Sequence, residues 1–341
     1  MIALWRGLLA GAALALLTVT APIGAPPAQA QSKPFVFGLP GIPPVFLAVQ
    51  LYTAQDAGFF KKYGVDVQLR PFDTGVAAAR AAAAGEIDMT DSPTPVIINL
   101  VSNGNVPLVA VYGMENPDWL IGSTDPEVKT CKDLPGHPIG VDTPGGARSV
   151  ALRQMTANCG FAFDKLQQVS LGSNTAAAMI AGQISVGVLH LDDVAAIEEK
   201  AKKKLTSVIT IKQAKPVSHY NLIAGRADKI AADRDRYVRV VAALVAAADY
   251  MRDPKNADRV AQIGTVTGHT PAEVKAALKE YLAIEFWPNG TDGLDPKKVQ
   301  AEIDTQARVG GIQPGKTPVA YDKLTDRSIW KDAMALIRQE K

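Results

Sequence analysis

The sequence predicts an α/β protein built as two α/β lobes joined by a two-strand hinge, and three observations carry that prediction. First, a module is written twice. Residues 75–88 and 172–185 each run from a glycine through nine alanine-rich residues to a second glycine (Gly85, Gly182), then an x-Ile pair and a polar residue. An apolar stretch with strand character precedes each copy, at 65–69 and 166–171. Second, strand and helix patterns alternate, the grammar of a mostly parallel sheet covered by helices. Third, a second alternating series, opening at Asp133, is inserted between two parts of the first. The chain then crosses between lobes near 114–121 and again near 217–226, and a double crossing is a natural hinge.

The elements follow in order. Residues 35–39 alternate as a strand, Pro40-Gly41-Ile42-Pro43-Pro44 is a rigid loop, and 45–57 has helical periodicity that Gly58 stops. Residues 59–64 read as one helical turn closed by glycine, and 65–69 as the second strand. The first module supplies a glycine loop, a short helix, a glycine C-cap and a short strand. A helix over 93–103 and a strand over 107–112 complete the first series. Asn116-Pro117-Asp118 breaks the pattern, and 119–122 is another short strand. The second series has a strand at 138–141, a helix at 147–158, the second module and a strand at 208–211; a strand at 220–224 returns the chain. Residues 236–251 form a long Ala/Val-rich amphipathic helix. Thr270-Pro271-Ala272-Glu273 is a helix start with proline in its first turn, and helices are expected over 271–284, 295–309 and 328–339.

Residues 1–30 read as a secretory signal peptide rather than part of the fold. Arg6 is a short basic region, 7–19 is apolar but short for a bilayer, and Ala28-Gln29-Ala30 is a small-x-small cleavage signal. A retained anchor is the alternative. Neither a twin arginine nor a cysteine at the cleavage point argues for folded export or a lipid anchor. The remaining length suits two lobes: 31–117 plus 222–341, and 118–221. A formal net charge of +2 gives no field that would gather nucleic acid. The lysines of 200–204 are the one dense basic cluster and read as the solvated end of a helix.

The chain has two cysteines, and in an exported protein they invite pairing. A strand rises about 3.3 Å per residue and a helix about 1.5 Å, so the helix at 147–158 undoes the rise of the strand at 138–141. That returns Cys159 to the level of Cys131, and a Cys131–Cys159 disulfide is expected; two buried free thiols are the alternative. No metal spacing surrounds either cysteine.

At this point the residues resemble a known family. Ala57-Gly58-Phe59-Phe60-Lys61-Lys62-Tyr63-Gly64-Val65-Asp66-Val67, Ala84-Gly85-Glu86-Ile87-Asp88 and Asp133-Leu134-Pro135-Gly136-His137-Pro138-Ile139-Gly140-Val141 are similar to signature segments of periplasmic substrate-binding proteins. The group concerned serves ABC importers for nitrate, alkanesulfonates, taurine and thiamine-pyrimidine precursors. The resemblance implies the type II periplasmic binding protein fold, a periplasmic location, a small-molecule ligand and a permease partner in the membrane, with no cofactor. Two segments depart from the family pattern: Gln183-Ile184-Ser185-Val186 stands where an Asp-Ala pair is usual, and the loop 189–193 is polar.

Ligands of parallel α/β lobes sit beyond the carboxyl ends of the strands. That rule selects Pro40 and Gly41, Thr74, Asp91 and Ser92, and Tyr112 in the first lobe. In the second it selects Thr143, Pro144, Gly145, Gly146, Ala147 and Arg148, then Ser173, Asn174 and His190; Tyr220 stands beside the second crossing. The 143–149 loop is the foremost candidate, because glycines admit a close backbone approach, a helix N-terminus favours an anion, and Arg148 adds a charge. His137, His219 and His269 read as surface or packing residues, and Asp192-Asp193 as a solvated loop.

No Gly-x-Ser-x-Gly, His-Glu-x-x-His or phosphate-loop motif is present. The expected function is therefore extracytoplasmic capture of a small organic anion, such as a sulfonate or carboxylate, by cleft closure, with the protein acting as a monomer. A pyrimidine or aromatic solute, a sensor module and, last, an enzyme on the same fold are the alternatives.

Overall fold

Residues 33–339 are described by a computed structural model of the chain, and the expected signal peptide lies outside them. The strands are β1 (Phe35–Pro40), β2 (Val67–Phe72), β3 (Met89–Pro93), β4 (Leu108–Met114), β5 (Leu120–Ser123), β6 (Pro138–Val141), β7 (Gln167–Ser170), β8 (Val186–Leu189), β9 (Thr206–Thr210) and β10 (Asn221–Arg226). They form two five-stranded sheets, ordered β2-β1-β3-β10-β4 and β7-β6-β8-β5-β9. In the first, β1 runs parallel to β2 and β3 while β10 is antiparallel to both neighbours. In the second, β6 runs parallel to β7 and β8 while β5 is antiparallel to β8 and β9. The reversed strand in each sheet is the one that arrives from the other lobe. The crossing itself is made by residues 115–119 and 211–220, with the strands ending on either side.

The helices are α1 (Val49–Asp56), α2 (Phe59–Lys62), α3 (Gly75–Ala84), α4 (Thr94–Gly104), α5 (Ala147–Thr156), α6 (Thr175–Ile180), α7 (Leu191–Ala201), α8 (Ile211–Ala214), α9 (Ala227–Ala232), α10 (Arg234–Arg252), α11 (Ala257–Ile263), α12 (Pro271–Ala283), α13 (Pro296–Arg308), α14 (Tyr321–Leu324) and α15 (Ser328–Gln339). None of the described helices is long and apolar enough to cross a membrane. The first sheet is covered on both faces, so its central strands are buried throughout, as parallel sheets require. Phe35, Phe37 and Leu39 of β1 join Val240 and Leu244 of α10 in one core. Leu222 and Ala224 of β10 face the opposite way, onto Ala79 and Ala82 of α3 and Ile97 of α4. The edge strand β2 alternates between buried and exposed residues, which is why Val65 to Leu69 reads with period two in the sequence.

The repeated module has one structural cause in both lobes. Gly85 and Gly182 take φ of 78° and 71°, a left-handed conformation in which a Cβ is strained, and each ends its helix. The isoleucine two residues on then packs against a glycine of the neighbouring parallel strand, β1 in one lobe and β6 in the other. A Cβ on Gly38 would stand 2.4 Å from Ile87, and one on Gly140 would stand 2.5 Å from Ile184. The short strand therefore begins two residues later than the pattern suggests, at Met89 and at Val186. The second copy also has a shorter helix, because Gly172 to Asn174 remain a turn and α6 starts only at Thr175.

Other expectations need correction. The loop at 189–193 is in fact the start of α7, and Asp193 is buried there rather than solvated. Tyr112 was expected to face the cleft from a central strand, but β10 is inserted between β3 and β4 and makes β4 an edge. Tyr112 is fully buried in the core. Cys131 and Cys159 are disulfide-bonded with their Cα atoms 5.8 Å apart, as the strand-up, helix-down argument expects.

Candidate functional site

A cavity of about 30 Å³ lies where the carboxyl ends of the two sets of parallel strands face each other. From the first lobe it is lined by Pro40 and Gly41 at the end of β1, by Thr74 and Gly75 at the start of α3, and by Asn221 of β10. From the second it is lined by Asp142 after β6, Ala147 and Arg148 in the first turn of α5, Ser173 after β7, and His190 after β8. Trp119 and Tyr220, one on each crossing, close the inner end.

Arg148 is the one cation among these lining residues and is 5% exposed. Its Nε donates to the Val188 carbonyl at 2.9 Å, and its Nη2 stands 3.6 Å from the Asp193 carboxylate. Trp119 lies under the guanidinium, 5.5 Å from ring centre to Cζ. Among the described residues no hydrogen-bond acceptor reaches Nη1, which leaves donors free beside the cavity. Burial and the neighbouring Asp192 push the Asp193 carboxyl up, and Arg148 opposes them.

The loop before α5 behaves differently from expectation. Asp142 already sits at that helix start, accepting from the backbone N–H of Thr143 at 2.8 Å and more distantly from that of Ser149. Gly146 is required there, since a Cβ would stand 2.5 Å from the Asp142 carboxylate. The helix terminus that looked free for a solute anion thus holds the chain's own carboxylate. Pro144 and Gly145 are exposed, and Thr143, Pro144, Gly145 and Gly146 do not line the cavity. The start of α3 is the more open one: Thr74 accepts from Ala77 N–H at 3.2 Å, and Gly75 is at the cavity wall.

Asp91 and Ser92 stand one layer behind the wall. Ser92 Oγ donates to the Gly75 carbonyl at 2.9 Å. Asp91 Oδ1 accepts from Asn221 Nδ2 at 2.7 Å, while Asp91 Oδ2 and Asn221 Oδ1 are buried without partners. Burial raises the Asp91 carboxyl to about 7, against which the Asn221 hydrogen bond works. Asn174 is exposed and Tyr112 is in the core, so neither reaches the cavity. Of the expected residues, Pro40, Gly41, Thr74, Ala147, Arg148, Ser173, His190 and Tyr220 are brought together. Trp119, which reads from the sequence as core, and Asp142 and Asn221, which were not among the expected residues, also line the cavity. Asp142 was legible, being an Asp placed between a strand and a helix start; Asn221 was not, because nothing local marks it.

His190 Nδ1 is 2.9 Å from Asp118, and its ring lies 3.8 Å from Trp119 between centroids. Tyr220 stands 5.9 Å from Trp119 and 5.0 Å from Phe286, which gives the inner end an aromatic corner. The lobes are in contact around the cavity. Ser173 Oγ donates to the Ile42 carbonyl at 3.2 Å and accepts from Ile42 N–H at 3.3 Å. On the opposite side Gln154 Nε2 of α5 donates to Glu302 of α13 at 2.9 Å, and Lys215 pairs with the same carboxylate at 2.6 Å.

Comparison with known proteins fits this architecture. Residues 47–257 match the family model described as NMT1/THI5 like. No curated protein sequence matches the chain. Among solved structures, a protein from Bordetella bronchiseptica RB50 superposes with a TM-score of 0.74 at 20% identity, covering 90% of this chain and 98% of that one. The nitrate-binding protein NrtA from Synechocystis PCC 6803 gives 0.71 at 15% identity, covering 89% of each chain. The alkanesulfonate-binding protein SsuA from Xanthomonas axonopodis pv. citri gives 0.69 at 16% identity, covering 87% of this chain and 99% of that one. Two lobes of matching strand order, a cleft at their strand ends and a family match across most of that framework lead to one statement: the chain belongs to the NMT1/THI5-like family and has the fold of the periplasmic binding proteins.

Proposed function

We propose that the protein is an extracytoplasmic solute-binding protein whose two lobes, 31–117 plus 222–341 and 118–221, close on a small organic anion such as a sulfonate or carboxylate. The closed form docks on an ABC permease, and the protein performs no covalent chemistry on its cargo. Export by cleavage after Ala30 and action as a monomer in the periplasm complete the reading. One observation carries it: Arg148, buried in the second lobe with a guanidinium nitrogen that no acceptor among the described residues reaches, lines a cavity whose first-lobe wall includes the N-terminus of α3. A buried cation with unfilled donors beside a helix N-terminus recognises an anion by charge-assisted hydrogen bonds. The sulfonate- and nitrate-binding proteins that share the fold support the same class.

The aromatic corner of Trp119, His190 and Tyr220 favours a second reading, a flat heterocycle such as a pyrimidine stacked there. A thermal-shift and calorimetric screen against sulfonates, carboxylates, nitrate and pyrimidines separates the two. A true solute at a hundred times its Kd stabilises the protein by about 2.7 kcal/mol. Stabilisation by pyrimidines alone overturns the anion; turnover of any of these compounds overturns the binding role itself.

A further inference from the structure

The lobes also meet through a polar cluster away from the cavity mouth. Asp192 lies in the first turn of α7, in the second lobe, and α7 packs against α12, which packs on α11, and α11 in turn lies on α1 of the first lobe. Asp192 Oδ2 is 2.9 Å from His269 Nε2, one residue before the Thr270 cap of α12. Asp192 Oδ1 accepts from the Tyr281 hydroxyl at 2.7 Å. That hydroxyl is also in very close contact with Asp118, on the first crossing. Tyr281 itself is held flat against Phe46, with ring centroids 4.5 Å apart.

Counting protons shows what this contact needs. One tyrosine O–H faces two carboxylates, so it satisfies only one of them at a time. His269 is the neighbouring donor. In its neutral form with the proton on Nε2 it serves Asp192 but leaves Nδ1 a bare acceptor, buried without a partner and 3.7 Å from the Glu273 carboxylate. The doubly protonated ring keeps the hydrogen bond to Asp192 and turns a positive N–H toward Glu273, 3.7 Å away. The charged groups around it are Asp192 and Asp193 from α7, Glu273 from α12, and Lys200 at the end of α7, which shares Glu273 at 3.3 Å. Acidic groups outnumber the lysine. The hydrogen bond to Asp192 raises the His269 ring above the ordinary imidazole value, and burial works against it. Asp192 is pushed up by burial, but the His269 hydrogen bond and the nearby imidazoles outweigh this and hold it below the ordinary carboxylate value.

We propose that closing the lobes takes up a proton on His269, and that the resulting His269–Asp192 ion pair, positioned by Tyr281 and Asp118, latches the closed form. The proposal rests on the solute-clamp reading above and adds its regulation. Separating the lobes parts Asp192 from His269 and returns the imidazole to its ordinary value. The latch is therefore fully present below that value and is lost as pH rises through the raised one, so closure and solute retention strengthen on acidification within that window.

Small-angle scattering of the ligand-free protein from pH 5.5 to 8.5 tests this, with Asp192→Asn and His269→Gln beside the wild type and circular dichroism to confirm folding. The expected result is a wild-type radius of gyration that shrinks as pH falls and variants whose radius stays large and flat. The protein has four histidines, so the His269 proton resonance is assigned by its disappearance in His269→Gln. Its midpoint in the closed wild type is expected above the ordinary imidazole value, and Asp192→Asn returns it. A midpoint at or below that value, or variants that keep the wild-type pH response, overturns the latch. A radius that pH, both variants and every solute of the screen leave unchanged counts against lobe closure itself.

Discussion

At the scale of single residues, Arg148 carries both recognition and local stability. Replacing it with lysine keeps a charge but removes the planar fork, and affinity for a sulfonate or carboxylate is expected to fall at least about tenfold, read by titration calorimetry. Arg148→Ala is expected to lose binding altogether and to destabilise by about 1–3 kcal/mol, because Asp193 and the Val188 carbonyl lose their partner. Asp91 and His219 make a second pair of predictions. Burial lifts Asp91 from 3.8 to about 7, so it contributes stability at low pH that is lost as pH rises from about 4 to 7. Burial lowers His219 from 6.5 to about 4, so its contribution is lost in the other direction, as pH falls from 6.5 to 4. The two oppose each other across nearly the same range. Asp91→Asn is expected to uncover the histidine: thermal melts of the variant gain stability over wild type above pH 7 and decline steadily from pH 6.5 to 4. A variant melting profile that follows the wild type at every pH removes Asp91 from this balance.

At the scale of elements, the repeated module explains itself through a glycine that another chain segment needs to approach. Gly140→Ala places a methyl 2.5 Å from Ile184 and 2.8 Å from Thr175. The expected loss is about 1–3 kcal/mol in a urea titration, partly restored by adding Ile184→Val, which trims the clashing atom. A loss that the second substitution leaves untouched places the strain elsewhere. The disulfide ties the approach to β6 to the end of α5 across 28 residues, and Cys131→Ser/Cys159→Ser is expected to cost about 3–4 kcal/mol in the same assay. Elements with strong local signals were legible: the glycine-capped α3, the capping box opening α12 and the Ala/Val face of α10 all stand where the residue pattern puts them. The start of α7 was not, since its cap is a histidine and its first turn is two aspartates, residues that also make loops. Their helical state is fixed by partners 70 to 90 positions away in sequence, Asp118 for His190 and Tyr281 for Asp192.

At the scale of the whole molecule, closure is the property to measure. The contacts between the two lobes include Ile42–Ser173, Asp192–His269 and Gln154–Glu302. Glu302 is 1% exposed and shared by Gln154, Lys215 and the His219 N–H, so Glu302→Gln is expected to leave the half-buried Lys215 without its counter-charge and to widen the average lobe separation. Scattering that shows an unchanged radius in this variant, with solute absent, assigns Glu302 to the stability of the crossing segment alone.

What the sequence determined by itself is the α/β alternation, the doubled module, the disulfide partners and the loops at the carboxyl ends of strands, half of whose expected residues line the cavity. These follow from periodicity, glycine conformation and residue rise, all of which act over a few positions. The tertiary structure decided the rest. Which strand becomes an edge removed Tyr112 from the cleft; which carboxylate reaches a helix start gave that of α5 to Asp142; and which side chains from distant segments are packed together created the pairs of Asp91 with Asn221 and Asp192 with His269. The physical reason is common to all three. Burial and charge pairing depend on what packs across the space between elements, and that is set only when both lobes have folded and closed on each other.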